Sequence, residues 1–360
     1  MARKDGEYET GKTIMKLGLT LGYSGGSFEN QVGLVRHAES LGFDSVWTAE
    51  AWGSDAVTPA AWLLASTSKI NVGTAIMQMP ARTPAMAAMT AMTLQAMSGG
   101  RFILGIGPSG PQVIEGWHGV AYGRPLTRTR EYIGIIRKIL DRKEALVHDG
   151  FHYHIPFKGE GASGLGKPLK SILHGDPDLK IVTGAISPAG IAVAAEIADG
   201  FIPVFMNPER FDLFESAIKE GFAKAGGGRS LDNFTITPFV NVIIGDDLDR
   251  CRIPVKNFLA LYIGGMGARE KNFYNDYARR LGYEAEARII QDLYLDGKKA
   301  EAAAAVPDKL CDEIALLGPA DRVKDRLQAY KEAGRKKHIS ALLAAGARPE
   351  SLQLLAEQVL

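Results

Sequence analysis

The chain has 360 residues, of which 46% are hydrophobic and 23% are charged, a composition typical of an ordinary soluble globular protein. Its 42 basic and 41 acidic side chains leave a net charge of +1, which argues against a dedicated nucleic-acid binder. No apolar run reaches the length of about 18 residues that predicts a membrane span. We therefore expect no membrane partner. Cys251 and Cys311 are too far apart for a CxxC pair, so we expect no disulfide framework and a cytoplasmic location.

The first 14 residues differ from the rest of the chain. They are polar, with four charged side chains between Lys4 and Glu9, and no apolar stretch follows their basic residues. This pattern is not that of a signal peptide. We expect residues 1–14 to form a flexible N-terminal tail and residues 15–360 to form a single domain.

From Lys16 onward, short apolar runs alternate with amphipathic stretches long enough for helices, as in repeated βα units. Glycines near the ends of several helical stretches, Gly42, Gly99, Gly200 and Gly334, are predicted to end those helices. Eight such units in one chain predict an α/β fold, a (β/α)8 TIM barrel. The eight predicted strands are 16–21, 45–48, 71–76, 101–106, 180–184, 201–204, 235–244 and 339–344.

Two long intervals exceed the minimal βα repeat. Residues 143–177, after the fourth unit, contain a strand-like run at 148–155 and a glycine-rich loop at 159–166, whereas residues 264–318, after the seventh unit, are largely helical in pattern. Both are interpreted as insertions. Each could cover the active end of the barrel or merely cap its helices.

The segment GIGPSG at residues 105–110 matches GxGxxG directly after a predicted strand. A dinucleotide fingerprint needs a helix that begins at the motif, but Pro108 and Pro111 remove backbone donors and the next helix is predicted only near Thr127. We interpret the segment either as a tight loop or as a ligand-binding loop at the carboxyl end of a barrel strand. Four polar or aromatic side chains follow it closely: Gln112, Glu115, Trp117 and His118.

Other strand ends carry further candidates. Glu50 follows the second strand and would point at the barrel mouth, or would be a solvated loop residue. Residues 73–80 form a methionine-rich end of the third strand, from which composition predicts nothing more. After the fifth strand, Ser187 is a suitable N-cap with Pro188 at the first helical position. The free backbone N–H groups at that helix start could bind an anion, or could be satisfied by the cap alone.

Several chemistries are not supported by any spacing in the sequence. The histidines form no HExxH motif, and no spacing in the sequence supports a Cys–His pair. We therefore predict no metal site and no hydrolytic nucleophile.

Taken together, four stretches resemble the luciferase-like monooxygenase superfamily, and most closely its branch that uses the deazaflavin coenzyme F420. They are GFDSVWTAEAW at 42–52, SGGRFILGIG at 98–107, SGPQVIEGW at 109–117 and GPADRV at 318–323. The resemblance implies a flavin-like ring across the strand ends, against a bulge that ends the third strand and contains a cis peptide, by position Ala75–Ile76. The implied cofactor contacts are Glu50, Ala75, Ile76, Gly107, Pro108, Ser109, Gly110, Gln112, Gly184, Ala185 and Ile186.

The resemblance also implies an activity, namely hydride transfer between F420 and a small organic carbonyl, alkene or alcohol, in a homodimer. Sugar-phosphate dehydrogenases of the branch have a histidine where this chain has Ala51 and a glutamate where it has Gly110, so their reaction is not implied. The available proton donors are His118 and Glu115, ranked ahead of Glu50. The alternatives are an FMN-dependent monooxygenase fed by a separate flavin reductase, and a barrel that binds a cofactor without catalysis.

Overall fold

The computed structural model describes residues 15–22 and 29–360. The tail predicted for residues 1–14 lies outside the described residues. Among those that are described, no helix combines the length and the apolar character needed to cross a membrane.

The described residues form thirteen strands and fourteen α-helices. The strands are β1 (Lys16–Thr20), β2 (Ser45–Thr48), β3 (Asn71–Thr74), β4 (Met77–Gln78), β5 (Phe102–Gly107), β6 (His148–Asp149), β7 (His154–Ile155), β8 (Ile181–Gly184), β9 (Gly200–Ile202), β10 (Thr235–Ile236), β11 (Phe239–Ile244), β12 (Leu316–Gly318) and β13 (Ala341–Ala345). The helices are α1 (Glu29–Ser40), α2 (Val57–Ser66), α3 (Pro84–Ser98), α4 (Pro111–Gly116), α5 (Pro125–Asp141), α6 (Pro188–Ile197), α7 (Asp212–Ala225), α8 (Leu248–Ala260), α9 (Phe273–Arg280), α10 (Glu284–Leu295), α11 (Lys299–Ala304), α12 (Asp308–Ile314), α13 (Ala320–Arg335) and α14 (Pro349–Val359).

The parallel strands close into a barrel. They are hydrogen-bonded in the order β10, β9, β8, β5, β3, β2, β1, β13, β11, β12. The segment between β10 and β11 joins the two ends of this series, because Thr237 N donates to Phe201 O at 3.2 Å and Pro238 O accepts from Leu343 N at 3.0 Å. With β10 and β11 counted as one bent strand, eight strands surround the axis, and the predicted TIM barrel is confirmed.

Three details of the predicted elements are wrong. A short additional strand, β12, pairs with the second half of β11, and its three residues lie at the end of the second insertion, where no periodicity indicated it. The run predicted as a strand at 148–155 is a hairpin of two-residue strands, β6 and β7. The third strand ends at Thr74 rather than at Ile76, because a bulge separates β3 from β4.

The glycine predictions hold at two of four helix ends. Gly42 and Gly99 have φ angles of 89° and 65°, the left-handed conformation that ends a helix without a Cβ clash. Gly334 lies inside α13, which continues to Arg335. Gly200 belongs to β9, where an added Cβ would lie 2.0 Å from Thr235 Oγ1, so its missing side chain serves strand packing.

A small apolar cluster fills the inside of the barrel below its carboxyl end. It is separate from the main core between strands and helices, and its largest member is Trp47, which is 3% exposed. An added Cβ at Gly73 would lie 2.4 Å from the Trp47 ring, so the glycine makes room for the indole. The indole N–H donates to Ser45 Oγ at 2.9 Å. This cluster forms the floor on which the site stands: Trp47, Ala75, Val182, Ile202, Ala341 and Leu343.

Candidate functional site at the barrel mouth

The bulge after β3 is the central backbone feature of the mouth. The Ala75–Ile76 peptide is cis, which confirms the bond at the position that the resemblance implied. The chain then resumes pairing with β5 through Met77 and Gln78, opposite Ile106 and Gly107.

Ile76 lies between two strand ends that carry glycine. A Cβ added at Gly107, the end of β5, would lie 2.8 Å from Ile76 Cδ1, and one added at Gly184, the end of β8, would lie 3.2 Å from Ile76 Cγ2. We call these three residues the glycine face. The structure thus brings together three of the predicted cofactor contacts, on strands far apart in sequence.

The glycine face continues into the start of α6. Ala185 and Ile186 follow Gly184 directly, and Ser187 Oγ accepts from Gly190 N at 3.1 Å, so the predicted N-cap is confirmed. From the second insertion, Arg280 Nη2 donates to Ile186 O at 2.9 Å. This contact between the insertion and the strand end had no signal in the sequence.

The GxGxxG loop is held by two hydrogen bonds. Ser109, whose φ is 60°, accepts from Gln78 Nε2 at its Oγ (2.9 Å), and its carbonyl accepts from the Tyr122 hydroxyl (3.0 Å). Burial raises the pKa of Tyr122 to about 12. The predicted helix start near Thr127 is wrong, because α4 begins at Pro111, directly after the motif, and carries Gln112 with its side chain exposed. Pro111 fits the first helical turn, where no N–H is needed.

Glu50 is fully engaged. Both of its carboxylate oxygens accept from the Arg82 guanidinium, and they also accept from Gln78 N at 2.7 Å and Ala56 N at 2.9 Å. The Glu50 side chain is 6% exposed and that of Arg82 is 21% exposed. Glu50 therefore fixes the backbone of the bulge. Arg82 was not singled out in the sequence, because nothing in its spacing from Glu50 marks the pair.

His118 joins the same network from α4's end. Its Nε2 lies 2.8 Å from Oε1 of Gln78, a side chain that is 1% exposed. Since the Gln78 amide donates to Ser109, its oxygen accepts, so Nε2 of His118 is the donor in this contact. Glu115 is exposed, and its Oε1 accepts from Tyr122 N at 3.0 Å.

A cavity of about 310 Å³ lies beside this network, behind the bulge. Glu50 and His118 line it, whereas Glu115 does not. Its lining is Glu50, Ala51, Gly53, Ser54, Asp55, Gln78, Ala81, Arg82, Trp117 and His118. Within the described part of the chain, no three His, Cys, Asp or Glu side chains are grouped as a metal site would require.

A second cavity, of about 240 Å³, opens at the mouth above Trp47, and we call it the mouth cavity. It is bounded by the ends of β1, β2, β3, β9, β11 and β13 and by the second insertion, and it leaves out β5 and β8. The bulge residue Ala75 therefore separates it from the glycine face. Its lining is Thr20, Leu21, Gly22, Trp47, Ala49, Ala75, Val204, Phe205, Phe239, Asn241, Phe258, Tyr262, Ile314, Ala345 and Gly346.

Aromatic rings form one wall of the mouth cavity. Phe205 contacts Phe258 and Tyr262 edge-on, with ring centroids 5.4 and 5.8 Å apart, and Tyr274 packs behind Tyr262 at 4.7 Å. Phe205 has a φ of 54°, which is rare for a bulky residue and costs about 1–2 kcal/mol. These ring contacts hold Phe205 in that conformation. No motif pointed to this wall, which is assembled from the loop after β9, the end of α8, the turn that follows α8, and α9.

Buried amides fix the turn that carries Tyr262. Residues Leu261–Gly265 form a π-helical turn, a feature frequent at functional sites. Asn272 Nδ2 donates to the carbonyls of Tyr262 and Ile263, each at 3.0 Å, and Asn275 Nδ2 donates to Ile263 O at 3.2 Å and to Ala287 O at 2.7 Å. The turn is thus tied to α9 and α10.

The sequence model of the luciferase-like monooxygenase family matches residues 13–337 of this chain. A Mycobacterium tuberculosis protein, provisionally named a coenzyme F420-dependent oxidoreductase, is 47% identical over 322 residues, which cover 89% of this chain and 93% of that protein. Two solved structures share the fold. The coenzyme F420-dependent tetrahydromethanopterin reductase of Methanopyrus kandleri superposes with a TM-score of 0.76 at 22% identity, covering 96% of this chain and 98% of the other. An F420-dependent secondary alcohol dehydrogenase, solved with an F420–acetone adduct, superposes with a TM-score of 0.74 at 17% identity, covering 97% of this chain and 98% of the other.

Proposed function

This chain belongs to the luciferase-like monooxygenase family, and from that premise we propose that it is an F420-dependent oxidoreductase acting on a small organic molecule. The observation that carries the proposal is the juxtaposition of the bulge, the glycine face and an adjoining cavity. A planar ring needs a flat support, and the missing side chains of Gly107 and Gly184 let Ile76 of the bulge pack closely against both strand ends. When bound, the deazaflavin supplies two-electron chemistry by giving or taking a hydride at a ring carbon.

The residues that would hold the cofactor are those of the bulge and the loops beside it. In this proposal Ala75, Ile76, Gly107, Gly184, Ala185 and Ile186 contact the ring, and Pro108, Ser109, Gly110 and Gln112 border it. Glu50 acts through the backbone, since its carboxylate holds Gln78 N and Arg82. A fixed backbone orients the ring for the transfer.

The proton donor stays a prediction. Of the three candidates, Glu50 has its carboxylate occupied by four hydrogen bonds, and the two ranked ahead of it are His118 and Glu115. A general acid must come within hydrogen-bond reach of the reacting atom. His118 lines the cavity behind the bulge, so a role in proton transfer requires a path past Gln78.

The homodimer also stays a prediction. Helices α2 and α3 expose four large apolar side chains, and a contact between copies would cover apolar surface of this kind. They are Trp62, Met86, Met89 and Met97. Sedimentation of the full chain tests this prediction. We expect the wild type to sediment as a dimer and Met89→Lys to sediment as a monomer.

Titration of the full chain with F420 and with FMN, followed by fluorescence, tests the cofactor. We expect saturable binding of F420. Tight FMN binding without F420 binding, accompanied by oxygen consumption when reduced FMN is supplied, would instead identify an FMN-dependent monooxygenase. F420 binding without oxidation of reduced F420 above background, across a panel of ketones, aldehydes, enones and alcohols, would identify a non-catalytic barrel.

A further inference from the structure

The lining of the mouth cavity is uncharged. None of the fifteen described residues that line it is Asp, Glu, Lys, Arg or His. An ionised group that enters such a space loses its hydration without gaining a counter-ion, which is strongly unfavourable.

One amide side chain is directed into this cavity by the alternation of β11, in a lining that also includes the hydroxyl-bearing Thr20 and Tyr262. Phe239 and Asn241 line the cavity, whereas Val240 and Val242 are fully buried on the other side of the strand. The Asn241 amide makes no hydrogen bond to any other described residue. Its carbonyl and NH2 groups are therefore available to a ligand as acceptor and donors.

The cavity is also small and rigidly walled. A volume of about 240 Å³ corresponds to roughly eight water molecules, or a compact organic molecule of about ten non-hydrogen atoms. The wall of Phe205, Phe258 and Tyr262 is fixed by ring contacts, and the turn that carries Tyr262 is fixed by Asn272. Aromatic edges and faces select flat or cyclic apolar groups.

We propose that the mouth cavity binds the substrate, and that this substrate is an uncharged, compact apolar molecule whose single carbonyl or hydroxyl group hydrogen-bonds to the Asn241 amide. The inference rests on the proposed function, because it assigns the glycine face to the cofactor and the mouth cavity to its partner molecule. It excludes phosphorylated, carboxylated and ammonium substrates.

The test uses the full chain and ring compounds that differ only in charge: cyclohexanone, cyclohexanol, cyclohexanecarboxylate and cyclohexylammonium. Dissociation constants come from ligand-observed NMR titrations, with and without saturating F420. We expect the two neutral compounds to bind at least about 100-fold more tightly than the two ions. Neutral binding should persist when F420 is bound.

Variants at Asn241 connect this selectivity to the cavity. Asn241→Leu should weaken cyclohexanone binding about tenfold, through loss of one hydrogen bond, and leave the F420 dissociation constant within twofold. Asn241→Asp should strengthen cyclohexylammonium binding at least about tenfold, because it supplies the missing counter-charge. The matched control is Asn71→Leu, which removes an amide that bonds Asp44 O at the opposite end of the barrel.

Distinct results overturn the two proposals. Equal or tighter binding of the ions, no binding of the neutral compounds, displacement of cyclohexanone by F420, or an unchanged affinity in Asn241→Leu would each overturn this inference. A chain that fails to bind F420 yet keeps its Asn241-dependent preference for neutral compounds would overturn the proposed function alone.

Discussion

The two halves of the barrel mouth are built in different ways. The glycine face is defined by backbone, through the bulge after β3 and the absence of side chains at Gly107 and Gly184. The mouth cavity is defined by side chains, through the rings of Phe205, Phe258 and Tyr262 and the Asn241 amide. A surface made of backbone suits one invariant planar group, whereas a wall made of side chains can be matched to one particular molecule.

The largest expected effect comes from filling the glycine face. In Gly107→Val, the new side chain would occupy the position next to Ile76 where an added Cβ already lies 2.8 Å from Cδ1. We expect F420 affinity to fall about 1,000-fold, measured by fluorescence titration, while cyclohexanone binding stays within twofold. In the control Gly116→Val no atom lies within 4 Å of the added Cβ, and F420 binding should persist. Equal losses for both ligands would contradict the separation of the two halves.

The next effect concerns the support of the bulge. Glu50→Gln removes the charge that pairs with Arg82 and leaves a largely buried guanidinium without its partner. We expect a loss of about 3 kcal/mol in the free energy of unfolding, measured by urea denaturation. Glu115→Gln, which replaces an exposed carboxylate, should change the free energy of unfolding by less than about 0.5 kcal/mol. If the two variants were equally stable, Glu50 would not hold the bulge.

The wall of the mouth cavity should respond to loss of its amide support. Asn272→Ala leaves two buried carbonyls and two backbone N–H groups near Tyr262 without their partner. We expect a loss of about 2 kcal/mol of unfolding free energy and about tenfold weaker cyclohexanone binding. F420 affinity should change by less than about threefold. A loss of F420 affinity that exceeds the loss for cyclohexanone would place this turn with the glycine face instead.

The smallest effect is a pH dependence of the loop that borders the glycine face. Burial raises the pKa of Tyr122 to about 12, above the value of about 10 expected in the unfolded chain. The folded state therefore keeps this proton longer, and the stability that it contributes is intact below pH 10 and is lost as pH rises toward 12. Between pH 9 and 11, urea unfolding should show wild type losing about 1 kcal/mol more than Tyr122→Phe. Parallel curves for the two proteins would contradict a buried neutral Tyr122.

The glycine face was predictable from sequence and the mouth cavity was not, for a physical reason. Strand periodicity, turn residues and the motif at 105–110 are local, so they indicate where strands end and which ends lack side chains. The cis peptide at Ala75–Ile76 followed from position within a recognised family pattern. By contrast, the pairing of Arg82 with Glu50 and the approach of Arg280 to Ile186 depend on three-dimensional contacts that no short spacing encodes.

The same limit explains the errors in the fold. β12 is only three residues long, and its position depends on tertiary contacts: it pairs with β11, and Leu316 and Leu317 are buried in the core. Asn241 has the sequence pattern of any polar residue in a strand, and only the closed barrel gives the two faces of β11 different environments. Gly334 resembles a helix end, but α13 continues through it because its packing outweighs the intrinsic cost of glycine.

The path of the second insertion has an evolutionary consequence. The chain leaves the barrel at the end of β11 and returns through β12, which pairs with that same strand, so the excursion is anchored at both ends to one place. Such a loop can be lengthened, shortened or rewritten while the register of the other strands is conserved. New substrate preferences could thus arise by exchanging one modular segment, with the redox half of the protein inherited intact.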